Sequence, residues 1–430
     1  MQQTTVDTEL DSVTPRRITS PSMTRLCAEL STVSGPVRAA RVQRFWDGVA
    51  ASGTPLIRPA TTGTDQHDVT FLWRGVPDTD RVLLSMSGLD RERPDAALLD
   101  RIPDTDIWYA CYRLRGDHRS SYRFSALRRG ESTAVPRGSG SADPFNPTRL
   151  PGRWDRSTGA VFALPDAPAD PWPPAVGPGT DDHAKRHRVP SDQLGCGRGV
   201  WIYRPSAAER TDPLPVLVLC DGDRWFGELG LADVLDHLIG NNLLPPLQVL
   251  APEAVAPDTR WRELTAHDPF VSFLADELLP WAARRWPLTD DPTRTLIAGQ
   301  SLGGLTALYA ALTRPHRFGT VLAQSASLWW RPGMPSRPCP DADGRWLADL
   351  FGAAERLPTK VQLQVGLQEG SMVRHTRELD AVLRGRAVPV SRVEFNGGHD
   401  YACWRTGLID GIGDLLRPGS PDERGTLPAT

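Results

Sequence analysis

The sequence predicts two domains, a small antiparallel β-sandwich followed by an α/β domain on a mostly parallel sheet. Three features predict this. Short strand-like runs separated by Gly, Pro and Asp fill the region from Thr54 to Ala126, the spacing expected of a sandwich. From Val216 onward strands alternate with helices, which requires crossover connections and a parallel sheet. Between them, Pro165–Pro190 is dense in Pro, Gly, Asp and Ala without periodicity, the composition of a linker. A chain of 430 residues is also too long for one typical core. The expected division is 1–175 for an N-terminal β-sandwich domain, 176–192 for a linker and 193–430 for an α/β domain.

Residues 1 to about 40 are polar, with helical potential near Ser22–Leu30. The sandwich strands are read at Val69–Trp73, Arg81–Met86, Ile107–Arg113 and Ser121–Ser125, runs rich in β-branched and aromatic residues. In the second half Val216–Cys220 is a short unbroken apolar run, a strand buried on both faces. A helix is expected over Phe226–Ile239, a strand over Leu247–Ala251 and an amphipathic helix over Phe270–Trp286. Strands follow at Thr295–Ala298, Thr320–Gln324, Lys360–Val365 and Arg392–Phe395, with helices at Leu302–Leu312 and near Cys403–Leu416. Ligands of such sheets bind at the carboxyl ends of the strands.

Composition excludes several classes of function. A net charge of -3 gives no global field for nucleic acid or anionic membrane. The chain's N-terminal residues lack the apolar core of a signal peptide, and no run of 18 apolar residues occurs. The expectation is a cytoplasmic protein with no membrane contact. Cysteines at 27, 111, 196, 220, 339 and 403 form no CxxC pair or zinc spacing, and Cys220 reads as a buried reduced thiol. No metal or organic cofactor is expected, and oligomeric state is not readable.

Chemistry enters at Gly299-Gln300-Ser301-Leu302-Gly303, a G-x-S-x-G with a strand before it and a helix after it. That context makes a sharp, strained turn that exposes the serine hydroxyl on an α/β-hydrolase sheet. Ser301 is thus the expected nucleophile. The base should come late in the chain, after the acid. His399, in Gly397-Gly398-His399-Asp400 between the last strand and the last helix, occupies that slot, with His267 as its loop rival. Glu369 is the one carboxylate in the loop after Lys360–Val365 and is the expected acid; the alternative is an ordinary exposed loop glutamate. Asp400, the sequence neighbour of His399, is poorly placed to reach Nδ1. The oxyanion hole should combine the Leu302 N–H with that of Asp223 or Arg224 at the end of Val216–Cys220.

The run GQSLGGLTALYAALTRPHRFGTVLAQSASLWW at 299–330 closely resembles the ferric-enterobactin (enterochelin) esterases. So do LCDGDRW at 219–225, RWREL at 260–264, GLQEGSMVR at 366–374 and GGHDYACWR at 397–405. In the N-terminal half, Phe45-Trp46, GTPLI at 53–57, VTFLWR at 69–74 and DPFNP at 143–147 also match. The resemblance implies an immunoglobulin-like sandwich packed on the hydrolase domain. It implies hydrolysis of the ester bonds of an iron-loaded catecholate trilactone, with iron entering as part of the substrate. Ser301, His399 and Glu369 carry over as nucleophile, base and acid, and Arg260 as an arginine near the substrate. Leu302 departs from the Phe or Met often found after the serine.

A ferric tris-catecholate is a trianion with flat aromatic faces, so Arg and Trp should meet it at ~0.5–2 kcal/mol per contact. The expected contacts are Arg260, Arg374, Trp225, Trp330 and Trp404, against the alternative that these Trp residues are core. Three other readings stand beside this one. They are a feruloyl-type or general carboxylesterase with a carbohydrate-binding β-domain, a siderophore binder without catalysis, and an acyltransferase sharing the acyl-enzyme.

Overall fold

The computed structural model describes residues 13–61, 65–89, 94–136, 138–154, 157–172, 183–205, 213–339 and 342–417. The N-terminal half is a two-sheet sandwich. One sheet holds β1 (Arg16–Ile18), β2 (Leu56–Pro59), β3 (Gln66–Arg74), β5 (Asp100–Arg101) and β6 (Ile107–Arg115), and the other β4 (Thr79–Met86), β7 (Arg119–Arg128), β8 (Arg149–Leu150) and β9 (Gly159–Ala163). All pairings within them are antiparallel. Alternate residues fill the space between the sheets: Val69 and Phe71 from β3, Val82 and Leu84 from β4, Tyr112 from β6, Phe124 from β7 and Phe162 from β9. The outer face of the first sheet is covered by α1 (Pro21–Ser31) and α2 (Gly35–Ser52), through Met23, Leu30, Trp46 and Val49. Helical potential was read near Ser22–Leu30; α2 was not, because its apolar stripe is thin.

The second half is an eight-stranded sheet in the order β10-β11-β13-β12-β14-β15-β16-β17. Its members are β10 (Ala184–Val189), β11 (Arg198–Tyr203), β12 (Val216–Leu219), β13 (Gln248–Pro252), β14 (Thr295–Gln300), β15 (Thr320–Gln324), β16 (Lys360–Gly366) and β17 (Val390–Phe395). The six strands from β12 to β17 are parallel, and β10 and β11 form an antiparallel edge. The first of these corrects the expected linker: Ala184 already hydrogen-bonds into the sheet opposite Tyr203, so 184–192 belongs to the catalytic half. The stretch 176–182 lies outside the described residues.

Alternation along β12 divides two cores. Val216 and Val218 face the layer containing the continuous helical segments Asp268–Ser272, Phe273–Leu278 and Leu279–Ala283; Leu217 and Leu219 face α3 (Leu231–Gly240) and α7 (Tyr401–Leu416). Three further helices bear on the site: α4 (Pro257–Leu264), α5 (Leu302–Thr313) and α6 (Ser371–Gly385). Beneath the carboxyl edge, Gln300, Gln324 and Gln364 lie in register on β14, β15 and β16. Their amides bond in a buried row at 2.8 and 2.6 Å. Such a row satisfies buried polar groups while fixing the lateral position of three strand ends.

Candidate active site

Three non-glycine residues turn the chain through the left-handed region at the carboxyl edge: Asp221 after β12 (φ 64), Ser301 after β14 (φ 59) and Ser325 after β15 (φ 45). Backbone in that region is strained for a side-chain-bearing residue and tends to gather at working sites. Ser301 stands between β14 and α5, with its N–H bonded to Gln324 O at 3.0 Å. The turn closes so tightly that a Cβ on Gly299 would lie 2.3 Å from the Gly303 carbonyl carbon, which makes glycine obligatory there. Ser301 Oγ lies 3.3 Å from the Ser327 hydroxyl.

Glu369 and His399 are brought together from loops after β16 and β17. His399 Nδ1 meets Glu369 Oε2 at 2.6 Å, with the carboxylate buried and the imidazole 41% exposed. The other oxygen, Oε1, accepts the Ser325 hydroxyl at 2.6 Å and the Gly366 N–H at 2.8 Å. Ser325 in turn accepts the Trp404 indole N–H at 2.8 Å, and the Trp404 ring stands edge-on to the His399 imidazole at 4.7 Å. Both carboxylate oxygens are therefore engaged, which fixes the plane of the carboxylate and the Nδ1–H tautomer of His399. Asp400 is otherwise engaged. It caps α7 through Ala402 N–H and accepts the Ser121 N–H from the N-terminal half. His267 has a buried Nδ1 with no partner, and burial lowers its pKa.

The residues expected to meet substrate fare differently. Arg260 is not a free cation: it grips Asp221 through Nε at 2.7 Å and Nη2 at 2.8 Å, while Arg153 meets the same carboxylate at 3.0 Å. Burial disfavours the Asp221 charge, but Arg260 and Arg153 outweigh it and hold the carboxyl well below its usual range. Trp225 is fully buried and donates its indole N–H to Gln300 Oε1 at 3.0 Å, so it has no face for a ligand. Trp330 is buried edge-on to Trp346 at 5.3 Å, and Trp404 is buried against the Glu369–His399 pair. These three are corrected from stacking surfaces to core and support. Arg374 stands 56% exposed near the start of α6, with Glu378 at 3.5 Å.

The Arg224 N–H closes a turn on Asp221 O at 2.9 Å and is withdrawn as an oxyanion donor, which leaves Leu302 and Asp223. Asp223 is held by its carboxylate, which accepts from Ala254 N–H and from Arg153.

Sequence reasoning missed Ser325, Ser327 and Arg153. The two serines were findable, because a loop after β15 must fall between Ser301 and Glu369 when β15 separates β14 from β16. Arg153 comes from the other half of the chain and carries no local signal.

An elbow serine after β14, a carboxylate after β16 and an imidazole after β17 follow the order and topology of the α/β-hydrolases, and the protein is a carboxylic ester hydrolase of that class. A model described as "Putative esterase" matches residues 191–415, and one described as "Enterochelin esterase, N-terminal" matches 68–173. The iron(III) salmochelin esterase of Escherichia coli O6:H1 is 33% identical over 87% of this chain and 94% of its own length. The iron(III) enterobactin esterase of Dickeya dadantii is 32% identical over 88% and 94%. Among solved structures, the ferric enterobactin esterase of Salmonella typhimurium superposes with a TM-score of 0.74 at 28% identity, over 87% of this chain and 99% of that one. The Shigella flexneri enterobactin esterase, crystallised in the presence of enterobactin, gives 0.72 at 28% over 86% and 98%. The chain belongs to the ferric-enterobactin (enterochelin) esterase family.

Among the described residues, no group of three or more His, Cys, Asp or Glu side chains could hold a metal ion, and no helix is long and apolar enough to cross a membrane. All six cysteines are free.

Proposed function

We propose that the protein hydrolyses the ester bonds of an iron-loaded catecholate trilactone, with iron arriving only as part of the substrate. The observation that supports the substrate class is that likeness to iron(III) siderophore esterases runs through both halves of the chain, not the hydrolase half alone. In this reading Ser301 Oγ leaves the Ser327 hydroxyl, gives its proton to His399 Nε2 and attacks the ester carbonyl. Glu369, held by three donors, stabilises the imidazolium that forms. The N–H groups of Leu302 and Asp223 receive the oxyanion, each worth roughly 10²–10³ in rate. His399 then gives that proton to the leaving alkoxide oxygen of the trilactone, and water releases the acyl group by the reverse path.

With Arg260 neutralised, recognition of the trianion falls to other cations. A cavity of about 470 Å³ beside β11 and α4 is lined by Arg186, Arg188, Arg198 and Arg262 against Glu253 and Glu263. Arg186 and Arg198 are spent on those two glutamates. Arg188 and Arg262, the latter 65% exposed and meeting Glu263 only at 3.8 Å, carry the excess charge there, with Arg374, 3.5 Å from Glu378, as a further exposed cation.

The test is to incubate the purified protein with ferric and iron-free enterobactin and follow linear trimer, dimer and monomer by chromatography. Ser301→Ala should lose roughly 10⁴–10⁶ in kcat. Near-normal turnover by that variant would remove Ser301 from its role. Cleavage of simple aryl esters without cleavage of the trilactone would remove the siderophore.

A further inference from the structure

We infer that the N-terminal domain sets the geometry of the catalytic pair through three side chains, the buried His118 and Asn396 and the half-buried Gln368, which act as positioning residues. The inference rests on the roles proposed above for Glu369 and His399, and asks how their separate loops are held in register. Gln368 immediately precedes Glu369, and Asn396 lies three residues before His399. His118 belongs to the turn between β6 and β7, in the other half of the chain. Its Nδ1 lies 3.2 Å from Asn396 Oδ1 and 3.1 Å from Gln368 Nε2, and those two amides are themselves 3.3 Å apart.

Neighbouring groups orient the amides of this cluster, although Gln368 Oε1 is buried without a partner. Asn396 Nδ2 donates to Asp117 Oδ1 at 2.6 Å, so Oδ1 must face His118. Gln368 Nε2 donates to Val13 O at 3.0 Å, so its remaining N–H points into the cluster. His118 Nδ1 has to be a donor to the Asn396 oxygen or an acceptor from Gln368, since one ring nitrogen cannot be both. The donor form lets Asn396 Oδ1 accept from both His118 and Gln368. It also leaves His118 Nε2, which is buried without a partner, as a bare lone pair and not an orphaned N–H. The ring is fully buried, and burial lowers its pKa to about 4, so it is neutral in working conditions.

The surrounding backbone tightens the same joint. Arg119 N–H donates to Asn396 O at 3.2 Å and Ser121 N–H to Asp400 Oδ2 at 2.6 Å, so β7 grips both sides of His399. A Cβ on Gly398 would lie 2.6 Å from Ser87 Cβ, so the loop carrying His399 is pressed directly on the sandwich. One imidazole thus touches the residue beside the acid and the strand end leading to the base. Displacing either loop by about 1 Å can cost on the order of 10²-fold in rate. The sandwich therefore helps to hold the two loops in register.

The experiment is a double-mutant cycle on hydrolysis of an activated aryl ester. His118→Phe keeps a buried ring and removes the donor; His118→Asn restores an N–H near the Nδ1 position; Gln368→Ala reaches the cluster without touching the sandwich core. His118→Phe and Gln368→Ala should each lower kcat by about 10-fold or more with KM within about 2-fold, and His118→Asn should recover most of the loss. In a His399→Ala background, where there is no imidazole left to position, the same substitutions should cost less than about 2-fold. Equal losses in both backgrounds, or losses carried by KM, would overturn the positioning role and leave a purely structural one. If His399→Ala alone turns over at the wild-type rate, the catalytic assignment fails and this inference falls with it.

Discussion

Replacing Arg260 by Met keeps much of the side chain's length and removes its guanidinium. In the native protein that group is bound to Asp221 by two hydrogen bonds, with the side chains 14% and 0% exposed. After the substitution Asp221 keeps only Arg153, at 3.0 Å. Leaving a buried charge without any partner costs about 3–5 kcal/mol, so losing one of two arginines should cost roughly 2 kcal/mol. With a urea m value of about 2–3 kcal/mol/M, the unfolding midpoint should fall by roughly 0.8 M. The assay is urea unfolding followed by Trp fluorescence, run beside KM measurements for a ferric trilactone and a neutral aryl ester. Because Asp221 already neutralises Arg260, KM should move by the same factor for both substrates, within about 2-fold. An unchanged midpoint, together with a KM rising about tenfold for the anionic substrate alone, would refute this argument and return Arg260 to the role its sequence context suggested.

Ser325→Ala removes one of two donors to Glu369 Oε1 and orphans the Trp404 indole N–H. A kcat loss of about tenfold at steady KM is expected from stopped-assay kinetics, since a lost hydrogen bond to a charged group is worth about 1.5–3 kcal/mol. Stability should also depend on acid through His118. Its folded pKa, about 4, lies below the ordinary 6.5, because burial disfavours the charged ring. As pH falls the unfolded chain therefore takes up the proton first. This contribution is intact above pH 6.5 and is lost progressively down to pH 4, by roughly 3 kcal/mol in all. Urea midpoints compared between pH 7 and pH 4.5 should fall more for wild type than for His118→Phe.

What the sequence disclosed and what it withheld divide along a physical line. Ser301 was legible because a strand, a strained turn and a glycine-flanked helix start are written in consecutive residues. Glu369 and His399 were legible because chain order and strand count alone define their slots. Most of the parallel strands announced themselves as short apolar runs, while β16 (KVQLQVG) and β17 (VSRVEF) showed as Val- and Leu-bearing runs alternating with polar residues. The antiparallel edge did not, since β10 reads AKRHRV, with two apolar positions in six and basic residues between them. Charge recognition was misread for a different reason. An arginine beside an active site looks like an anion receptor until its partner is known, and the partners here come from afar: Asp221 is 39 residues from Arg260, and Arg153 comes from the other domain. The Trp residues fail the same way, because a conspicuous aromatic becomes a ligand surface or a core filler according to burial that no local pattern states. Local strain is encoded locally, so an elbow serine can be read from a motif. Neutralisation and burial are properties of pairs, and the pairs that matter at this site, Arg153 with Asp221 and His118 with Asn396, are formed only when the sandwich and the hydrolase sheet are packed together.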